Sequence, residues 1–267
     1  MKSVITLLTD FGTADYFVAA VKGVILTINP LVSLVDVTHE IPPQDINSGA
    51  FTLLTCYRDF PPGTIHVAVV DPGVGSARRP IVVSAGSHYF VGPDNGLFSY
   101  VYDREASHKT FHVTAQEYFR PSPSPTFHGR DVFGPVAAAL SKGVKPKKLG
   151  PRITDEVRLA SLAPRKDDSG KLHGRIIHID RFGNCITNFT RADAPDWKKA
   201  RLLIKRREIK TFREFFADEH GSADEHGSKD EIFAIWGSAG FLELGINGGS
   251  AATTLRAHRG DPVILIA

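Results

Sequence analysis

The largely apolar run from Ile65 to Val70 has the length of a buried strand, and it stops abruptly. Asp71 ends it, and Pro72-Gly73-Val74-Gly75 follows, a turn that no strand or helix interior tolerates. A chain built this way needs a sheet whose strand ends open onto loops. In open α/β sheets, ligands bind at such ends. Arg78 lies seven residues beyond Asp71, with Arg79 beside it. The acid and the arginine mark a candidate chemical centre rather than a packing feature.

The surrounding pattern supports such a sheet. Strand 3–9 is followed by a helical pattern from Tyr16 to Ile28, with Val18, Val21, Ile25 and Ile28 on one face. A strand at Val32–Val37 and a second helical pattern at Ile46–Tyr57 lead into the run that ends at Asp71. This alternation predicts a mainly parallel sheet covered by helices on both faces. Pro80–Ala85 and Tyr89–Val91 read as further strands, and Asn95-Gly96-Leu97-Phe98 as the start of a short helix. Pro121-Ser122-Pro123-Ser124-Pro125 predicts a rigid extended loop that delivers Phe127 and His128, before a helix from Asp131 to Leu140.

After Leu149 the composition changes. Residues 151–171 carry glycine, proline and the charged cluster Arg165-Lys166-Asp167-Asp168, which suits a linker. From Leu172 the chain reads as short strands separated by turns: Gly174–Ile179, Cys185–Phe189, Arg201–Ile204, Ile232–Trp236, Leu242–Ile246, Ala251–Leu255 and Pro262–Ile266. The expected architecture is therefore α/β: an N-terminal, mainly parallel-sheet domain over residues 1–150 and a smaller C-terminal antiparallel β domain over 172–267. Ala217-Asp218-Glu219-His220-Gly221-Ser222 recurs at once as 223–228. Its acids and histidines are metal-ligand types, but the Gly-Ser flanks favour an exposed loop enlarged by duplication.

Several function classes are disfavoured. A net charge of +3 gives no bulk electrostatic case for nucleic acid. No apolar run approaches the roughly 18 residues of a membrane span, and the N-terminus lacks the layout of a signal peptide. A cytoplasmic protein is expected. Cys56 and Cys185 do not suggest a disulfide framework. The glycine fingerprints of dinucleotide enzymes and P-loop proteins are missing, as is the nucleophile elbow of α/β-hydrolases. No pair of histidines or cysteines at zinc spacing appears, so no metal is expected.

The residues leave their own alternatives open. Asp71, Arg78 and His128 suit a centre in which a charged acid orients a water and a histidine shares the proton. A buried ion pair beside a satisfied histidine is the plainer alternative. Asp10 suits either a helix cap or a contact to vicinal ribose hydroxyls. Asp180, Phe182 and Asn184 suit a tight turn between strands. Asp94-Asn95-Gly96 reads first as a turn.

Five further segments join the Val69–Ser76 stretch: Asp10-Phe11-Gly12-Thr13, Thr38-His39-Glu40-Ile41-Pro42, Gly92-Pro93-Asp94-Asn95-Gly96, Phe127-His128-Gly129-Arg130-Asp131 and Asp180-Arg181-Phe182-Gly183-Asn184. In this order, over nearly the whole chain, they resemble the S-adenosylmethionine (SAM) hydroxide adenosyltransferases, relatives of the bacterial fluorinase and chlorinase. The resemblance implies hydrolysis of SAM to adenosine and L-methionine, with no metal or organic cofactor. In the hydroxide-transferring branch, an Asp-Arg-His trio occupies the positions of Asp71, Arg78 and His128. The halogenases lack the acid. The resemblance puts Asp10 on the ribose, Asp180 on the methionine amino group, Phe182 against the ligand, and Asn184 and Gly248 on adenine. The halogenases carry one more residue, a proline, in the turn around Phe182. Ser238 matches a serine on the methionine carboxylate. The halogenases have an arginine where this chain has Ala239, and Glu243 is expected to face the ammonium. The resemblance also implies a homotrimer with active sites between subunits.

Overall fold

The structure is a computed structural model that describes residues 2–216 and 231–266. The tandem repeat lies outside the described residues. The chain divides into two units, Met1–Ser161 and Leu162–Ala267. The division falls inside the segment 151–171.

The first unit opens with β1 (Val4–Thr9), α1 (Phe17–Ile28), β2 (Ser33–Thr38), α2 (Ile46–Cys56) and β3 (Ile65–Val69). It continues with β4 (Pro80–Ala85), β5 (His88–Pro93), α3 (Ser99–Arg104), β6 (His108–His112), α4 (Gly134–Ser141) and β7 (Arg152–Ile153). These strands form one sheet in the order β2-β1-β3-β5-β4-β6-β7. The four strands β2, β1, β3 and β5 run parallel. The sense then changes, because only Gly86 and Ser87 separate β4 from β5, and so short a loop joins antiparallel neighbours alone. β4 pairs antiparallel with β6 as well, and β6 with β7.

Side chains alternate across each strand, and the two faces of β1 show the result. Ile5 and Leu7 join Val21 and Ile25 of α1 and Val136 of α4 in one core. Each such fully buried side chain contributes about 1.5–3 kcal/mol. Leu8 looks the other way, toward α2, where Gly49 allows close approach: a Cβ there would lie 2.9 Å from Leu97 Cδ1 and 3.0 Å from Val70 Cγ2.

Two helix starts differ from the sequence expectation. The helix expected from Asn95 begins at Ser99 instead. Asn95 spends its side chain on the turn: its Nδ2 donates to Val70 O at 2.8 Å and its Oδ1 accepts from Leu97 N at 3.2 Å. The helix expected from Asp131 begins with a π-helical turn, Gly129–Phe133, before α4.

The second unit contains β8 (Arg165–Lys166), β9 (Leu172–Ile179), β10 (Cys185–Thr190), β11 (Arg201–Ile204), β12 (Arg207–Ile209) and β13 (Phe212–Arg213). Beyond these come β14 (Phe233–Trp236), β15 (Phe241–Gly245), α5 (Ala251–Leu255) and β16 (Pro262–Ile266). The main path of the sheet is β12-β11-β16-β9-β10-β15-β14-β13, with β8 paired to β9. Its pairings are antiparallel apart from β13 with β14. Cys185, Leu242 and Leu244 point into the core of this unit. By alternation, Ile186 and its register partner Glu243 stand on the other face.

Ala251–Leu255, expected as a strand, is a helix. The Ser250 side chain caps it by accepting from Thr253 N at 3.1 Å, and Arg256 ends it in the left-handed region at φ 50°. A five-residue run of Ala, Thr and Leu carries too little periodicity to outvote those caps.

Candidate active site

Asp71 stands just past the end of β3, where the sequence places it. Its carboxylate meets Arg78, whose Nε donates to Oδ1 at 2.9 Å and to Oδ2 at 3.0 Å. Arg78 Nη2 donates to the same Oδ2. The side chains of Asp71 and Arg78 are only 5% and 8% exposed, so this pair is shielded from solvent screening. Arg78 Nη2 also lies 2.8 Å from His128 Nδ1. A guanidinium only donates, so Nδ1 accepts and the imidazole proton sits on Nε2. Burial, and then the Arg78 cation, push His128 below the ordinary imidazole range, against smaller opposing pulls from Asp71 and Asp131. The centre thus holds a carboxylate, a guanidinium clamped to it and a neutral imidazole.

Arg79 turns away from this cluster. Its Nε and Nη2 donate to Asp94 Oδ2 at 2.8 and 2.6 Å, and its Nη1 to Asp155 Oδ1 at 2.8 Å. Successive residues of an extended segment point to opposite sides, which separates two adjacent arginines into different surroundings. Asp94 is buried, and its other oxygen accepts from Val157 N at 2.9 Å. The turn Asp94-Asn95-Gly96 is therefore occupied with holding the chain around Asp71.

A cavity of about 420 Å³ opens beside the centre, lined among others by Asp10, Gln44, Asp71, Phe127 and His128. That size falls within the range of small-molecule sites. Asp10 ends β1 as Asp71 ends β3, and β1 and β3 are parallel neighbours, so both acids arrive at one rim. Asp10 is not a helix cap: α1 has no side-chain cap. Its Oδ2 accepts from Gln44 N at 2.8 Å. Gln44 holds a left-handed backbone at φ 65°, which costs a residue with a Cβ about 1–3 kcal/mol. Nothing in the sequence signalled Gln44. An apolar wall completes the cavity, where the ring of Phe127 meets Phe11 and Phe17 at centroid distances of 5.8 and 5.3 Å.

The loop that carries Phe127 and His128 rests on the turn after Asp71. A Cβ on Gly75 would lie 2.4 Å from the Pro125 carbonyl, and Gly75 adopts φ 77°. Both facts require glycine at this position.

The remaining expected residues lie in the second unit. Asp180 forms a tight turn on itself: Oδ1 accepts from Phe182 N at 2.9 Å and Asn184 N at 2.8 Å, and Oδ2 from Asn184 Nδ2 at 2.8 Å. Asn184 is buried, whereas Phe182 is 77% exposed, an unusual position for a large aromatic ring. Glu243 leans over Gly237, where a Cβ would meet its Oε1 at 1.7 Å. Burial, and then the Asp180 charge, push the Glu243 carboxyl up to about 7. Ser238 and Gly248 are exposed in turns, Gly248 at φ 68°. Among the described residues no cluster of histidine, cysteine and acids forms a metal site, and no helix is long and apolar enough to cross a membrane.

Residues 5–150 match the N-terminal domain of the SAM hydroxide adenosyltransferases, and residues 174–264 match the C-terminal domain. The chain belongs to this family. It is 37% identical to an (R)-S-adenosyl-L-methionine hydrolase from Thermus thermophilus, covering 97% of this chain and 98% of that one. It is 41% identical to a protein of the same name from Methanocaldococcus jannaschii, over 76% of this chain and 73% of the relative. A fluorinase from an Actinoplanes species is 30% identical over 71% of this chain and 72% of its own length. The fold agrees with the crystal structure of an uncharacterized conserved protein from Thermotoga maritima, with a TM-score of 0.86 and 32% identity, covering 98% of this chain and all of the other.

Proposed function

We propose that the protein hydrolyses S-adenosyl-L-methionine to adenosine and L-methionine. A water oxygen bonds to C5′ of the ribose, the C5′–S bond breaks with its electron pair staying on sulfur as a neutral thioether, and the extra proton of the attacking water passes out to solvent to leave the 5′-hydroxyl of adenosine. Free water has a pKa of about 15.7 and is a weak nucleophile, so the protein has to hold and polarise it. Asp71 accepts a hydrogen bond from this water. Arg78 fixes the carboxylate from one side, and the His128 Nε2–H is free to orient the water from another. Asp10 binds the ribose hydroxyls through the oxygen that Gln44 does not engage. In the second unit, the family resemblance supports Asp180, Ser238 and Glu243 at the methionine end, Asn184 and Gly248 at adenine, and Phe182 packed on the ligand. No cofactor enters the reaction, because the sulfonium already supplies the leaving group.

The observation that carries this reading is the hydrogen-bonded Asp71–Arg78–His128 cluster on the wall of a cavity that also contains Asp10. A homotrimer is part of the same proposal, supported by the family resemblance. Light scattering on the purified protein tests it.

The deciding experiment for the reaction incubates the purified protein with SAM, with and without chloride or fluoride, and separates the nucleosides by chromatography. Adenosine in every arm is the expected result. A halogenated nucleoside would replace the reading with halide transfer, which the Asp71 carboxylate disfavours by repulsion. Unchanged SAM with measurable binding would leave a binding protein.

A further inference from the structure

Asp131 follows directly on Arg130, three residues past His128 and outside the proposed trio, yet its carboxylate gathers donors from three residues of the surrounding chain. Its side chain is 2% exposed. Its Oδ1 accepts from Arg130 Nε at 2.7 Å and Arg120 Nη1 at 3.3 Å. Its Oδ2 accepts from Arg130 Nη2 at 2.9 Å and from the backbone N–H of Ser124 at 2.8 Å. Its backbone joins in: the carbonyl accepts from Arg120 N at 2.9 Å, and the N–H donates to Phe127 O at 3.1 Å. One buried residue therefore ties together the start, the middle and the end of the segment 120–131.

That segment is the wall that presents Phe127 and His128 to the cavity and rests through Pro125 on Gly75. We propose that Asp131 is a positioning residue for the proposed hydrolysis: its carboxylate clasps the 120–131 loop and so sets where His128 stands relative to Asp71 and Arg78. This inference rests on the reading of the cavity as a SAM hydrolase site. A buried carboxylate with four donors is a stiff fixture, because releasing any one donor leaves a desolvated group. Arg130 adds to the stiffness by lying 5.0 Å over the Phe127 ring.

The clasp also acts on His128 through space. The charged groups that bear on the imidazole are Arg78, Asp71 and Asp131. Arg78 disfavours protonation, and Asp71 and Asp131 favour it. Protonated His128 would turn its Nδ1 from acceptor to donor and break the contact with Arg78 Nη2. Activity should therefore fall on the acid side as His128 takes up a proton. Removing the Asp131 charge makes that protonation harder, so the acid limb should move to lower pH.

Asp131→Asn tests both effects in the full-length protein. The expected result is a fall in kcat on the order of 10²-fold, the cost of misplacing a reacting group by about 1 Å. KM for SAM should stay near the parent value, and the acid limb of the kcat profile should shift downward. NMR titration of labelled histidines in the ligand-free protein should show the His128 midpoint moving the same way. Ser124→Pro removes the backbone donor to Oδ2, and Ser124→Ala removes only the hydroxyl contacts to Thr126 that the proline also loses, so the difference between the two variants covers the case in which Asp131→Asn does not fold. Ser124→Pro should lower kcat in a folded protein, with a modest fall in the thermal midpoint from the lost donor. Parent kcat in a folded Asp131→Asn with an unmoved His128 titration would overturn the proposal, as would equal kcat in Ser124→Pro and Ser124→Ala if the first variant fails to fold. If the parent protein itself leaves SAM intact, the hydrolase reading falls. The His128 titration still decides the clasp, and an unmoved midpoint would refute it.

Discussion

Replacing Asp71 by Asn changes one oxygen into an amide and removes one charge, so its effects can be sized from the contacts around it. Arg78 reaches this carboxylate through Nε and Nη2, and both partners are more than nine-tenths buried. In Asp71→Asn the carbonyl oxygen still accepts one of these donors. The amide nitrogen then faces the other, donor against donor. Breaking a buried pair by removing one charge costs about 3–5 kcal/mol. The retained hydrogen bond puts the expected loss near the lower end, about 3 kcal/mol. At roughly 2–4 °C per kcal/mol for a unit of this size, the thermal midpoint of the first unit should fall by about 6–12 °C. Catalysis should suffer separately, because the lost charge is the one proposed to hold the water. A fall in turnover of about 10²–10³-fold is expected, equivalent to about 2.7–4 kcal/mol. Product chromatography at a temperature well below the transition measures turnover, and calorimetry measures SAM binding. Normal binding with turnover at the parent rate would refute the proposed role of Asp71. An unmoved thermal midpoint would show that the pair with Arg78 contributes little to the fold.

The fully buried His66 is held near pKa 3 by burial and then by the charge of His88, well below the 6.5 of a free imidazole. Between those values the unfolded chain binds the extra proton, so this contribution to stability is complete above about pH 6.5 and is lost as the pH falls toward 3. Denaturant melts from pH 7 to 4 should show a steeper decline for the parent than for His66→Gln, and parallel declines would contradict this. Glu243, pushed up to about 7, is expected to bind the substrate ammonium better as the pH rises from 6 to 8. Isothermal titration should show that gain in the parent and a flat profile in Glu243→Gln. Gly237→Ala would drive a methyl into the Glu243 carboxylate, since a Cβ there lies 1.7 Å from Oε1. It should raise KM several-fold with kcat little changed, and an unchanged KM would separate Glu243 from the substrate. Asn184→Ala should likewise weaken binding more than it slows the bound-state reaction, as read by initial rates at limiting and saturating SAM.

The strand that ends at Asp71 was legible from its apolar run and abrupt stop, and the helix α1 from its helical period, because each signal spans a whole element. The change of strand sense at β4 was not. It depends on the two-residue turn Gly86-Ser87, and neither strand on its own reveals the direction of its neighbour. Ala251–Leu255 was misread because its helical state is decided by Ser250 and Arg256 at its ends rather than by the run itself. In the site, Asp71, Arg78 and His128 stood out from motifs, and the structure brings them into contact. Gln44, and the clasping role of Asp131, stayed hidden for a different reason. One acts through a backbone N–H and a left-handed φ, the other by collecting donors from a loop, and neither role leaves a residue-type signature.

The strand ends β1 and β3 set two carboxylates at one rim, and only one of them has a cationic partner. Arg78 neutralises Asp71, while Asp10 is held by the backbone N–H of Gln44 alone among the described contacts. The cavity therefore carries one uncancelled negative charge. A sulfonium arriving from solution feels that field; an uncharged nucleoside leaving does not. Capture should weaken as salt screens the approach, while product escape stays indifferent to it. On the proposed reading, the acid at the end of β1 would then give the site a direction: it draws the cationic reactant in and has no electrostatic hold on the uncharged nucleoside.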